Sequence, residues 1–347
     1  MPGTLTLLDN AELEMLERER AINLAEQTWL GRIMPLVFEN TDAVMWDIRE
    51  NVKALIPAIG IGDTLPQMSD TGGDRFAVVP GHYGVSVPIP AERIVRERKF
   101  GQAEFDPIMV EEETSRIMME LAYRERSLMN TIRGRLLSLG EINTLDAAGK
   151  IKYNFAWGNY SNQLVTYTAG DVWTDLANSK PLYTLRQSLI SKGKGSGHEF
   201  LTPQAEMGAN PVTWSYLWGN TNQADIGGKK SQYGATITEF GSFRSFIQSE
   251  AQLPTPVLVE SAYEDSAGVW QHDIPDGYLV VVGVHASRGT RAGGYVGTKN
   301  ASAMGRATIF ADVDRMPNHP KLPRVNRSHS GAPRIDYGKQ VVVVKVF

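Results

Sequence analysis

The side chains that could do chemistry are scattered, and their spacing supports none of the familiar reactions. The six histidines are His82, His198, His272, His285, His319 and His329. No two of them form an HExxH pair or a similar helical couple that could grip a metal. The run Gly193-Lys194-Gly195-Ser196-Gly197 looks at first like a phosphate loop. A phosphate loop needs four residues between its first glycine and the Gly-Lys pair, then Ser or Thr after the lysine. Here Gly195 follows Lys194, so the run reads as a loop tip. Ser196 has Lys194 two positions before it, where a nucleophile elbow requires glycine. Gly293, Gly294 and Gly297 lack the strand-then-helix setting of a dinucleotide site. Glu264 and Asp265 are adjacent carboxylates that could hold a cation, but AYEDSAG has the composition of a solvated turn. There is no cysteine, which excludes disulfides, thiolate catalysis and cysteine-ligated zinc. We therefore expect no catalytic residue, no metal site and no cofactor. An α+β hydrolase or sugar-active enzyme, the reading that seven tryptophans and many tyrosines invite, would need a convergent carboxylate pair or triad, and no recognisable spacing supplies one.

Charge narrows the partners. The chain has 347 residues, 42% of them apolar, and a net charge of -4. That is enough apolar matter for a large core, and the near-neutral balance gives no bulk attraction to nucleic acid. Locally the balance is uneven. Arg315, Lys321, Arg324, Arg327, Arg334 and Lys339 face Asp336 alone in residues 315–339, whereas Glu12, Glu14, Glu17 and Glu19 crowd an acidic N-terminal segment. The basic stretch could meet phosphates. Without interleaved aromatics, pairing with the acidic segments of neighbouring copies is the preferred reading. Residues 1–10 lack the basic start and apolar run of a signal peptide, and no apolar stretch approaches the roughly 20 residues that span a bilayer. A soluble chain made in the cytoplasm is expected.

The elements that must position these residues are mixed, α+β. Asp9 to Thr28 reads as a short acidic helix. Val44–Val52, Arg75–Val79 and Tyr83–Ile89 read as strands of a long excursion with few core candidates of its own, around a Gly- and Asp-rich loop at 60–74. Asp106-Pro107 is a helix start, Gly140 a helix stop, and apolar residues from Val110 to Leu139 recur at helical spacing. This predicts a helix of about 33 residues, roughly 50 Å long. Beyond it, Lys152–Phe155 and Gln163–Tyr167 read as a hairpin. Asp171–Leu176 and Pro181–Ile190 read as helix starts. Pro203–Met207 reads as a short helix and Pro211–Trp218 as a strand. Val257–Ser261, Trp270–Ile274 and Tyr278–Val284 read as strands, and the β-branched run Gln340–Phe347 as a strand buried on both faces.

In this order the elements resemble the lambda-type major capsid proteins of tailed bacteriophages, the protein E family. Three segments carry the resemblance. ALIPAIG at Ala54–Gly60 is similar to the segment opening the family's extended loop. VPIPAERIVRERKFG at Val87–Gly101 is similar to its proline-bearing strand and Arg-x-Phe-Gly close, with Arg98, Phe100 and Gly101 in those positions. PVLVESAYEDSAGVWQHDIPDGYLVVVG at Pro256–Gly283 is similar to its strand, tyrosine, acidic turn, Pro-Asp-Gly and final strand, with Tyr263, Asp265, Gly268, Pro275, Asp276 and Gly277 matching.

The resemblance implies an HK97-like major capsid fold. It implies an N-terminal arm over 1–40 and an extended β-hairpin loop over 41–105. A peripheral domain with its spine helix would cover 106–170 and an axial domain 171–300. Residues 301–347 would return to the peripheral domain and end in the terminal strand. It also implies pentamers and hexamers closing an icosahedral shell around double-stranded DNA without sequence-specific binding, with a portal protein and a decoration or scaffolding protein as further partners, and no membrane. Glu12, Glu17, Met68, Asp70, Asp74, Arg75, Arg98, Phe100, Arg324 and Arg327 are the candidate contacts between subunits. An encapsulin-like compartment is the nearest alternative. Some relatives join subunits through a lysine in the extended loop. Residues 60–82 contain no lysine here, so a single monomer band is expected when assembled material is run on denaturing electrophoresis.

Overall fold

A computed structural model describes residues 28–39, 41–49, 73–88, 107–145, 151–158, 160–168, 170–176, 178–193, 199–219, 240–249, 251–265, 268–284, 289–298, 309–314 and 324–347. In chain order the helices and strands are α1 (Trp29–Ile33), β1 (Leu36–Phe38), β2 (Val44–Arg49), β3 (Gly73–Val78), β4 (Gly81–Pro88), α2 (Pro107–Leu139), β5 (Glu141–Leu145), β6 (Ile151–Ala156), α3 (Tyr160–Gln163), β7 (Leu164–Thr166), α4 (Pro181–Lys192), β8 (Glu206–Ala209), α5 (Pro211–Gly219), α6 (Phe240–Ser249), β9 (Thr255–Leu258), β10 (Ala262–Glu264), β11 (Trp270–His272), β12 (Tyr278–Val282), β13 (Gly294–Gly297), β14 (Ile309–Asp314), β15 (Arg324–Arg334) and β16 (Val341–Lys345).

The predicted long helix is α2, 33 residues from Pro107 to Leu139. It stops at Gly140, whose φ of +76° is a conformation that residues with a side chain rarely adopt. Ile117, Leu121, Met129, Ile132 and Leu136 are buried along it. Near its end Gly134 lets another part of the chain come close. A methyl there would lie 2.7 Å from the Asp273 carbonyl oxygen.

The centre of the molecule is a five-stranded sheet in the order β7-β16-β12-β8-β9. β16 is its second strand, parallel to β7 and antiparallel to β12. Strand residues alternate between faces, and here each face lines a different interior. Val341, Val343, Val280 and Val282 join α2, Trp29 and Tyr295 in one core. Val342, Val344, Leu279 and Val281 join Trp173, Trp214, Phe246 and α4 in the other. The strand from the β-branched run is therefore buried on both faces, and it pairs with strands drawn from both before and within residues 171–300.

A second sheet runs β1-β13-β15-β14, with β4 also paired to β15. The 11-residue β15 gathers β14, β13 and β4 by antiparallel pairing. The described strands of the stretch read as an excursion pack into the body. Val44 and Trp46 are buried in the first core, and β4 pairs along its whole length, Gly81 to Pro88, with β15.

Several sequence expectations are corrected. The hairpin after α2 is β5–β6, pairing Glu141–Leu145 with Ile151–Ala156, and residues 164–166 instead form the parallel edge strand β7. Asp171–Leu176 forms turns tied by Asp171 N to Thr168 O and Asp175 N to Val172 O, not a helix. The next two elements are reversed. Glu206–Ala209 is the strand, and Pro211–Gly219 is the helix, because Asn210 Oδ1 accepts a hydrogen bond from Thr213 N at 2.7 Å and caps it. The helix expected over residues 9–28 lies outside the described residues up to Thr28, which caps α1 through Gly31 N.

Candidate interaction surfaces

The candidate contact residues divide sharply in the structure. Glu12, Glu17, Met68, Asp70, Arg98 and Phe100 lie outside the described residues, and Asp74 is described only as part of β3. Arg75 is exposed on β3, and Arg324 is exposed at the start of β15. Arg327 requires a correction. Its guanidinium is not on a contact surface but buried inside the chain, with Nε donating to Glu125 Oε2 at 2.5 Å, and its side chain is 3% exposed.

This ion pair is buried, with side chains 3% and 6% exposed, and has a clear local cause. Glu125 follows Leu121 by four residues on α2, so the helix turns it toward the same interior. β15 brings Arg327 opposite, and His329, two residues on, presents Nδ1 at 3.0 Å from Glu125 Oε1. His329 Nε2 lies 3.2 Å from the Tyr295 hydroxyl, and the imidazole stacks on Tyr83 at 5.0 Å between ring centres. Loss of water lowers the Arg327 pKa to about 10, which leaves it charged near neutral pH. Burial pushes the Tyr83 hydroxyl up to about 12 and the Tyr295 hydroxyl well above its ordinary value. The cluster clamps the long helix to β15.

Of the rest of the basic stretch, Arg334 is engaged within the chain. Arg334 meets Glu39 at 2.7 Å and Asp336 at 2.8 Å. Arg315 and Lys321 lie outside the described residues. Glu264 ends strand β10 and Asp265 begins the turn of hairpin β10–β11, where Asp265 Oδ1 accepts from Val269 N. No cluster of three or more metal-ligating side chains occurs among the described residues, and none of their helices is long and apolar enough to cross a membrane.

Two further features were not singled out by the sequence. A cavity of about 430 Å³ opens between α2, β4, the β5–β6 hairpin and β15. Large apolar side chains also stand in solvent, among them Met45, Val79, Tyr183 and Trp270. Four separate strands and one helix build the cavity, so only the tertiary fold reveals it. The exposed side chains gave no signal because exposure is not written in residue type.

Comparison with known proteins agrees with this architecture. No curated protein matches the sequence. In fold, the chain is similar to a crystal structure described as the capsid protein of a prophage of E. coli CFT073, with a TM-score of 0.60, 13% identity, and 98% of this chain and 99% of that one covered. It is similar also to a phage-related protein from Bordetella bronchiseptica RB50, with a TM-score of 0.53, 10% identity, and 94% and 96% covered. The α+β architecture is the HK97-like capsid fold. The profile of phage major capsid protein E matches residues 30–322, most of the chain, and with its three sequence segments and its fold in agreement the protein belongs to the phage major capsid protein E family.

Proposed function

We propose that many copies of this structural, shell-forming protein close as pentamers and hexamers into an icosahedral shell around double-stranded DNA. The observation that carries this reading is the family match over residues 30–322. A patch repeated by rotation closes rings, and rings sharing edges close a shell. Several weak contacts made at once by one subunit raise the effective concentration of each and make the sum durable. DNA is held without sequence reading. A portal protein, and a scaffolding or decoration protein, complete the particle, which is built in the cytoplasm of the bacterial host. The arm is residues 1–40 and the extended loop 41–105. The peripheral domain is 106–170, the axial domain 171–300, and residues 301–347 return across the body.

Glu12 and Glu17 on the arm, Met68, Asp70, Asp74 and Arg75 on the loop, and Arg98, Phe100 and Arg324 are the proposed contacts between subunits. Arg327 is withdrawn from that set. The purified protein viewed by electron microscopy should show closed shells. A protein that stays monomeric at high concentration would overturn the reading. The family match favours a phage shell over an encapsulin-like compartment. Assembly should weaken with added salt in the full chain and lose much of that dependence once residues 1–27 are removed, because exposed ion pairs are screened. Light scattering across a salt series measures it.

A further inference from the structure

Hairpin β10–β11 is a rigid, aromatic, acidic knob. Its turn is closed twice, by Asp265 N donating to Val269 O at 2.9 Å and by Val269 N donating to Asp265 Oδ1 at 2.9 Å. Its base is fixed to α2, where the Arg135 guanidinium lies 5.2 Å from the centre of the Tyr263 ring and Thr131 hydrogen-bonds Asp273 at 2.8 Å. This fixed hairpin holds Val269 and Trp270 in water, 52% and 71% exposed, and Trp270 is more exposed than any other described aromatic residue. Glu264 is its cross-strand partner. An indole held in water on a rigid support is a ready anchor, since docking it costs little conformational entropy.

The cavity of about 430 Å³ has the complementary character. Val85, Leu121, Leu128 and Tyr153 give it apolar walls, the Glu125–Arg327–His329 cluster also lines it, and exposed Lys152 and Arg124 add positive charge. Lys152 is exposed, and no carboxylate among the described residues pairs with it. The space suits an indole and an aliphatic neighbour, and the edge suits an acid. The molecule's own Trp270 does not line it.

We propose that Trp270 of one copy inserts into this cavity on a neighbouring copy, with Glu264 beside it meeting Lys152. Knob and cavity are different patches, so the contact is heterologous and propagates from subunit to subunit until the rotation closes. The inference rests on the shell-forming reading above and assigns one of its contacts.

The test compares assembly of the full-length wild type with single and paired variants. Trp270→Ala should raise the concentration needed for half-assembly by about tenfold or more, as loss of a central aromatic anchor does. Its unassembled subunit should melt as the wild type does, because the side chain supports nothing within its own chain. Glu264→Lys and Lys152→Glu should each impair assembly, and the double variant should recover it. Since the chain has no cysteine, Glu264→Cys with Lys152→Cys gives a clean background in which oxidised shells should form disulfides between chains. Control shells carrying Tyr183→Cys with Lys152→Cys should not. If Trp270→Ala fails to fold, the cysteine pair decides. Wild-type assembly by Trp270→Ala, no recovery in the charge-exchanged double variant, or no specific disulfide would overturn the inference. A wild type that never assembles would overturn the shell-forming reading itself.

Discussion

Replacing Glu125 by leucine should cost the isolated subunit about 3–5 kcal/mol, the penalty for leaving a buried charge without its partner. The variant strands the Arg327 guanidinium, which has almost no contact with water. The double variant Glu125→Leu with Arg327→Met should lie within about 2 kcal/mol of the wild type, because a buried ion pair is often no more stabilising than an apolar pair of similar volume. Denaturant unfolding of dissociated subunits measures both. A single variant no less stable than the double would show that the clamp between α2 and β15 rests on packing and not on charge. The location matters for assembly. β15 also pairs with β4, so the clamp ties β4 to the long helix.

Introducing Asp at Val343 should prevent folding altogether. Val343 is fully buried, pairs with Val280 and Leu164, and faces the core shared with α2. An unpaired carboxylate in that position costs several kcal/mol, comparable to the whole stability of a domain. Val343→Ala should remain folded with a loss of about 2 kcal/mol, as a buried large-to-small change produces. Lys345→Asp, at the partly exposed end of the same strand, should be mild. Soluble yield and the thermal midpoint distinguish the three. A folded Val343→Asp would mean that the central sheet tolerates water on that face.

The sequence was most legible where one segment carried its own instructions. Pro107, the helical spacing of Ile117, Leu121, Ile132 and Leu136, and Gly140 marked α2 nearly to the residue. The run Val341–Val344 marked β16. Errors arose where the deciding partner was distant. Leu164–Thr166 is a strand only because Val343–Lys345 lies beside it. Glu141–Leu145 is mostly polar and becomes a strand by pairing with Ile151–Ala156. In Pro211–Gly219 the aromatic and β-branched residues suggested a strand, and the Asn210-Pro211 helix start was the stronger signal. The interaction residues show the same division. Glu125 on α2 was not singled out by the sequence, because the partner that explains its burial lies 202 residues away. Arg327 was therefore read as one of a basic run when tertiary pairing gives it an internal role.

Four consecutive valines create a problem of place. A slip of β16 by two residues would keep valine at only part of the run, and in either direction it would carry a lysine, Lys345 or Lys339, into the fully buried place of Val343 or Val341, so the valines alone are a weak guide to alignment. The ends must supply that information. On one side Gln340 O accepts from Gly283 N at 2.7 Å, and on the other Val346 N donates to Gly277 O at 2.8 Å. Phe347 meets the Tyr216 ring at 4.9 Å, and the Lys345 ammonium lies over the Tyr278 ring. These two anchors, with the flanking lysines, act as the ruler of the central sheet, and a chain that closes out of step would bury a lysine among its valines.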